Sequence, residues 1–423
     1  MSWNKTILIL ILLFAGCSIK QPQSRSCCPK LFEGEDRLTM SALYLRQIGD
    51  YQDSTKLFHT LYDKTKRVEY RIEEIKNLIV LKDLKKAQNE ALALLKEYPN
   101  SLELLRITSY LYLLQKDLKN AKKYMLKAIK LSKSPQDYEF LASIYMSEKK
   151  YDLALKYYQS AYAIKKSDEI VDKMATIMFL YLNRKSEAIS YLETHSRIFG
   201  CSKVVCLKLA SFYAAINDIN SLLNVYQRLY KRYQDDVFGI KIVQIYIYQK
   251  KYEDAISFLE KNRLNDELLL ELYELTKEYK KASKLALSLY QKSKKLDFLA
   301  KSAMFEFESS KVKDKKLLKD VSNKLEKVLE KDKNAIYLNY LGYLYIDYDL
   351  DIDRGIKLIK DALKQEPNSP YYLDSLAWGY YKKQKCKEAY KIIKRVVKKL
   401  GLNDKEVKFH YEKIKECLKR GKN

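Results

Sequence analysis

From about Leu38 onward, small and apolar residues return every 33 or 34 positions along this chain. The register is clearest at a small residue midway through each unit: Ser54, Ala87, Ala121, Ala154, Ala188 and Ala255. Their spacings are 33, 34, 33 and 34, then 67, which is two units. Twelve residues before such midpoints stand Ala42, Ser109, Ala142 and Thr176, where two helices would cross closely. Three residues after the crossing position a tyrosine is frequent, as at Tyr112, Tyr145, Tyr246, Tyr345 and Tyr380. Apolar side chains four and seven after the midpoint, such as Tyr158 and Ala161, complete a stripe of helical period. Each unit therefore predicts two helices joined by a short turn such as Glu148-Lys149-Lys150-Tyr151. One helix pair cannot bury both of its faces, so the units must stack. About eleven units are expected over residues 37–402, with 265–333 the least regular, followed by a capping helix and tail over 403–423.

Composition narrows the class to all-α. Ten glycines and six prolines in 423 residues are too few for a turn-rich β architecture. The 37 tyrosines suit half-buried helix faces, with the ring inside and the hydroxyl wet. The period and the residues at 135–168 (Tyr138, Leu141, Ala142, Tyr145, Ala154, Tyr158 and Ala161) resemble the tetratricopeptide repeat. That resemblance implies a right-handed superhelical solenoid of helix-turn-helix repeats.

The N-terminus supplies an address. Met1 to Lys5 carries one positive side chain, Ile7 to Phe14 is unbroken and apolar, and Ala15-Gly16-Cys17 closes the run. This is the form of a secretory signal peptide over 1–16, too short for a permanent membrane span. Phe14-Ala15-Gly16-Cys17 resembles the lipobox of bacterial lipoproteins, with phenylalanine where leucine is usual. The resemblance implies cleavage before Cys17 and acylation (palmitate among the chains) of that residue. Residues 17–36, with Gln21-Pro22-Gln23-Ser24, read as a flexible tether. Ser18 after the lipidated cysteine implies, by the same family analogy, outer-membrane delivery facing the periplasm.

Six cysteines remain once Cys17 is set aside. Cys27 and Cys28 are adjacent and poorly placed to bridge each other; Cys201 and Cys206 pair if Cys201 lies outside a helix. Cys386 and Cys417 lie almost equally far from a turn near Gly401-Leu402-Asn403, so they face each other if two antiparallel helices meet there. Buried free thiols are the alternative. The net charge of +26 is spread among mixed acids and bases, as in Lys311 to Lys333, and reads as a solvated helix surface. Export argues against nucleic acid, leaving anionic headgroups or acidic proteins as partners for the excess.

Arrays of the tetratricopeptide kind bind partners on the concave face made by their first helices. Carried onto the units that begin at Ala335 and Pro370, this register aims Asn339, Tyr343, Asp374 and Trp378 inward, with Tyr371 and Tyr381 extending the patch; the alternative is that the terminal helix or a neighbouring unit covers these rings. Residues 335–397 also resemble the C-terminal repeats of Gram-negative tetratricopeptide lipoproteins. The carrying residues are Leu338-Asn339-Tyr340-Leu341-Gly342-Tyr343, Gly355, Pro367, and Leu373 to Trp378. Some members of that group recruit a periplasmic processing protease and cell-wall hydrolases. The implied role is a lipid-anchored scaffold that recruits a soluble envelope protein; the rival is a pilotin-like assembly factor for an envelope machine. Catalysis finds no motif: His59, His195 and His410 lack metal-ligand spacing, and no phosphate loop, nucleophile elbow or HExxH occurs, so no cofactor is expected. Asp347, Asp349, Asp351 and Asp353 alternate like a calcium loop, but Arg354 and Lys360 stand where glycine and glutamate are required. They read instead as an acidic turn capping the next helix.

Overall fold

The computed structural model describes residues 31–420, and these form helices α1 to α23 with no strand among them. The leader, Cys17, Cys27, Cys28 and most of the expected tether lie outside the described residues. Two compact units divide at Val225/Tyr226. The first contains the pairs α1 (Glu35–Gln47) with α2 (Tyr51–Thr65), α3 (Val68–Val80) with α4 (Leu84–Glu97), and α5 (Leu102–Leu114) with α6 (Leu118–Ser132). It continues with α7 (Pro135–Ser147) and α8 (Tyr151–Ile164), then α9 (Asp168–Leu180) and α10 (Lys185–Phe199). Helix α11 (Lys203–Ala215) belongs to the first unit, and the division falls within α12 (Ile219–Tyr233).

The second unit begins its pairs with α13 (Asp236–Tyr248) and α14 (Tyr252–Asn262), α15 (Asp266–Leu275) and α16 (Tyr279–Ser293), and α17 (Leu296–Ser309) and α18 (Lys315–Leu329). It ends with α19 (Ala335–Asp347) and α20 (Ile352–Gln365), α21 (Pro370–Lys382) and α22 (Cys386–Leu400), and a last helix, α23 (Lys405–Arg420). Residues 265–333, irregular in sequence, thus fold as two ordinary helix pairs; α15, with 10 residues, is merely short.

The pairs close on small residues. Ser54, Ala87, Ala121, Ala154, Ala188 and Ala255 are all fully buried. Where serine takes part, its hydroxyl spans the crossing: Ser54 Oγ donates to the Ala42 carbonyl at 2.8 Å and Ser109 Oγ to that of Ala121 at 2.7 Å. Tyrosines stack beside these crossings, Tyr112 on Tyr124 with centroids 5.5 Å apart and Tyr145 on Tyr157 at 5.3 Å. Thr176 is a correction. The turn 181–184 is one residue longer than its counterparts, so Ala175 is the fully buried small residue there and Thr176 is displaced from the crossing.

Turn chemistry explains how so few glycines suffice. Lys82, Lys116, Lys149, Asn217, Lys250 and Lys277 take the left-handed conformation within the intra-pair turns, where glycine would be the unstrained choice. In several units an aspartate follows and caps the second helix, Asp83 accepting from the Lys86 N–H and Asp117 from the Asn120 N–H. The expected tether boundary also moves. Glu35 opens α1, is buried, and holds Arg67 at 2.6 Å and the Tyr70 hydroxyl at 2.8 Å.

Candidate functional site

First helices of successive pairs meet one another (α3 with α5, α9 with α11, α19 with α21), which puts them on the inner side of each unit. In the first unit this inner side carries a ladder of ion pairs. Arg46 of α1 meets Glu73 of α3 at 2.5 Å, and Lys76 joins Glu73 at 2.7 Å to Glu103 of α5 at 2.6 Å. Arg106 of α5 holds Asp137 of α7 at 2.7 Å, Lys173 of α9 reaches back to Glu139 at 2.7 Å, and Lys208 of α11 meets Asp172 at 3.2 Å. In the sequence these residues read as ordinary charges of a solvated helix surface; the register decides which of them face each other.

Burial alone would raise the Glu73 carboxyl, but Lys76 and Arg46 outweigh it and hold the group below its usual range. Burial opposes Asp137 likewise, and Arg106, Ser132 and Ser134 overcome it. A carboxyl with a depressed folded-state pKa stabilises the fold above its unfolded pKa and loses that contribution as pH falls through the folded value. Asp172, raised by burial despite Lys208, works in the opposite sense. Melting temperature should therefore fall as pH drops below about 4.5. Glu73→Gln should cost about 1–2 kcal/mol at neutral pH and flatten part of that acid limb. An acid limb identical in the variant and the parent would remove Glu73 from the ladder.

The six residues expected on the concave face lie on α19 and α21, and the last helix packs against several of them. Helix α23 leaves α22 through a short turn at Gly401 (φ +74°) and packs where the first helix of a further pair would stand. Its Val407, Ile414 and Cys417 are buried, the first two in a cluster with Ala389, Ile393 and Val396 of α22. Asp374 accepts a hydrogen bond from His410 Nδ1 at 2.9 Å, and the Trp378 ring stacks on His410 with centroids 4.2 Å apart. Tyr343 donates its hydroxyl to Glu406, and burial, then that bond, pushes its pKa well above the ordinary tyrosine value.

Of the two alternatives the covered one is found: Asp374 and Trp378 are 7% and 5% exposed, and Tyr343 joins them beneath α23. Tyr381 stacks on Trp378 at 4.7 Å and Phe409 packs against the same ring at 5.8 Å, half exposed. Asn339 is partly buried, its Oδ1 without a hydrogen-bond partner, and Tyr371 stands outside the cluster, 64% exposed. A disulfide joins Cys386 at the start of α22 to Cys417 near the end of α23, with Cα atoms 5.6 Å apart; a second joins Cys201 to Cys206 at 5.5 Å. Sequence reading missed His410, treating it as isolated although it lies one unit beyond Asp374. The alternating aspartates are engaged locally: Asp347 accepts from Trp378 Nε1 at 2.9 Å, Asp349 pairs with Lys382 at 2.9 Å, and Asp351 caps α20. This cluster is a hydrogen-bonded aromatic clasp built to hold a helix.

Residues 138–171 match the tetratricopeptide repeat family model. Each unit is built of stacked helix pairs of the tetratricopeptide kind. No curated protein sequence matches it. Among solved structures, the Naa15/Naa10 complex bound to HypK-THB aligns at 14% identity and TM-score 0.36, over 92% of this chain and 66% of that one. This chain therefore spans just under two thirds of that protein's length. The Cut9-Hcn1 hetero-tetramer aligns at 11% identity and TM-score 0.38, over 97% and 99%. PilF of Pseudomonas aeruginosa aligns at 14% and 0.38, over 49% and 95%. At these identities and scores the likenesses say nothing about function.

Proposed function

We propose that this protein is a lipid-anchored, non-catalytic scaffold of the bacterial envelope, which recruits a soluble envelope protein such as a processing protease or cell-wall enzyme. The observation that carries the binding role is the clasp itself. Trp378, Tyr381 and Phe409 form an aromatic seam between α21 and α23, with Tyr381 and Phe409 reaching its surface and Tyr371 exposed nearby. Rigid aromatics beside hydrogen-bonding groups make effective protein anchors. The anchor rests on the lipobox resemblance at Cys17, and outer-membrane placement on Ser18. A single acyl chain holds a protein only marginally, so stable attachment requires the multiple acylation that resemblance implies.

The test is photocrosslinking in cells from a reactive amino acid placed at position 371 or 409, in the native chain and in Cys17→Ser. A discrete adduct in the envelope fraction, with the Cys17→Ser chain released into the soluble fraction, supports the reading. No adduct from either position would remove the seam as the recruiting surface, and a Cys17→Ser chain that still sediments with membranes would remove the lipid anchor.

A further inference from the structure

Charge is sorted by helix in the second unit. Its first helices α13, α15, α17, α19 and α21 hold ten acidic residues against three lysines. The second helices α16, α18, α20 and α22 hold 19 lysines and arginines against five acidic residues, and α14, with three acidic residues and one lysine, ends the run. Since first helices line the inner side, the basic excess lies on the opposite, outer face. All but Lys324 of those 19 basic residues are exposed. On α22 the six are Lys387, Lys391, Lys394, Arg395, Lys398 and Lys399, and none of them pairs with a carboxylate among the described residues.

We propose that this outer face of the second unit, centred on α22, docks on an anionic lipid bilayer. Charge complementarity selects an anionic partner, and surface character selects lipid over protein. None of α16, α18, α20 and α22 carries an exposed large hydrophobic side chain. A protein interface needs buried aromatic or aliphatic anchors at its centre. A headgroup layer needs only many long, mobile cations near its surface, each adding to a diffuse attraction that salt weakens. Unpaired lysines are also the ones available for this, because binding breaks no internal ion pair. The docking is separate from the lipid anchor: Cys17 acylation inserts into any bilayer, whereas this face discriminates by lipid charge.

The experiment is co-flotation of the full purified chain with vesicles of pure phosphatidylcholine and with vesicles containing about one third phosphatidylglycerol, at low and high salt. Four exposed lysines are neutralised in the comparison variant, Lys387→Gln/Lys391→Gln/Lys394→Gln/Lys398→Gln, whose fold is checked by helix content and melting temperature. Binding by the native chain should rise roughly tenfold on the anionic vesicles at low salt and lose that increment at high salt. The variant should keep its phosphatidylcholine binding, which reports the anchor alone, and lose most of the increment. Equal binding to both vesicle types overturns the proposal, as does an increment unchanged in the folded variant. Retention on immobilised polyglutamate with no gain from phosphatidylglycerol also overturns it, in favour of an acidic protein.

Discussion

Gly355→Ala should destabilise the C-terminal unit by about 3 kcal/mol, a fall of roughly 6–12 °C in its melting transition. At the crossing of α19 and α20 the backbones touch without side chains between them. A Cβ on Gly355 would lie 2.6 Å from the Gly342 carbonyl oxygen and 2.7 Å from Ile346 Cγ1. A Cβ on Gly342 would lie 2.8 Å from the Gly355 oxygen and 2.8 Å from Ile359 Cγ1. Backbone cannot swing aside as a side chain can, so the helices must separate, and the cluster around Leu338, Leu341, Ile346 and Ile359 loosens with them. Gly239→Ala is the control. There the new Cβ meets side chains and no backbone, Leu264 Cδ1 at 2.6 Å and the Tyr230 ring edge at 3.1 Å, and alanine improves helix propensity by about 1 kcal/mol, which offsets the small shift they must make. Its melting temperature should move little. Differential scanning calorimetry decides: equal shifts for the two variants would mean that the α19/α20 crossing is no tighter than an ordinary contact.

The same crossing shows how far the sequence could be read. Small residues at fixed intervals announce helix pairs because only they permit close approach, and that signal recurs at Ala87, Ala121 and Ala154 with little interference. What it does not carry is turn length. One added residue at 348–351 puts Gly355 thirteen, not twelve, after Gly342, and another at 181–184 moves the crossing from Thr176 to Ala175. Register also tells which way a side chain points but not what arrives there. Asp374 and Trp378 point inward, yet α23 presents its buried Val407 and Ile414 like any first helix, so its closing of the patch follows from chain connectivity after Gly401. The ladder from Arg46 to Lys208 was hidden for a related reason: its members look like ordinary surface charges until successive first helices are set side by side.

His410→Ala should open the clasp. Asp374 keeps one oxygen without a hydrogen-bond partner already, and its other oxygen depends on His410 at 2.9 Å. Removing the imidazole leaves a buried carboxylate with no partner, which costs about 3 kcal/mol and favours departure of α23 so that water reaches Asp374. The Cys386–Cys417 bridge opposes complete release; by closing a loop of 31 residues' separation it contributes about 3–4 kcal/mol in the chain-entropy model. The two effects divide the helix. With the bridge intact, the segment around Glu406 and His410 should lift while Cys417 stays fixed. In a Cys386→Ser/Cys417→Ser background, the whole of α23 should leave. Tryptophan reports both, since the chain has only Trp3 and Trp378 and a Trp3→Phe background isolates the second. Trp378 emission should shift to the red and become quenchable by acrylamide in His410→Ala, more so without the bridge. The double change Asp374→Leu/His410→Leu should restore protection, because two apolar groups leave no charge unsatisfied. Unaltered quenching in His410→Ala without the bridge would show that apolar packing of Val407 and Ile414 alone holds the helix, and that the bond from His410 to Asp374 does not.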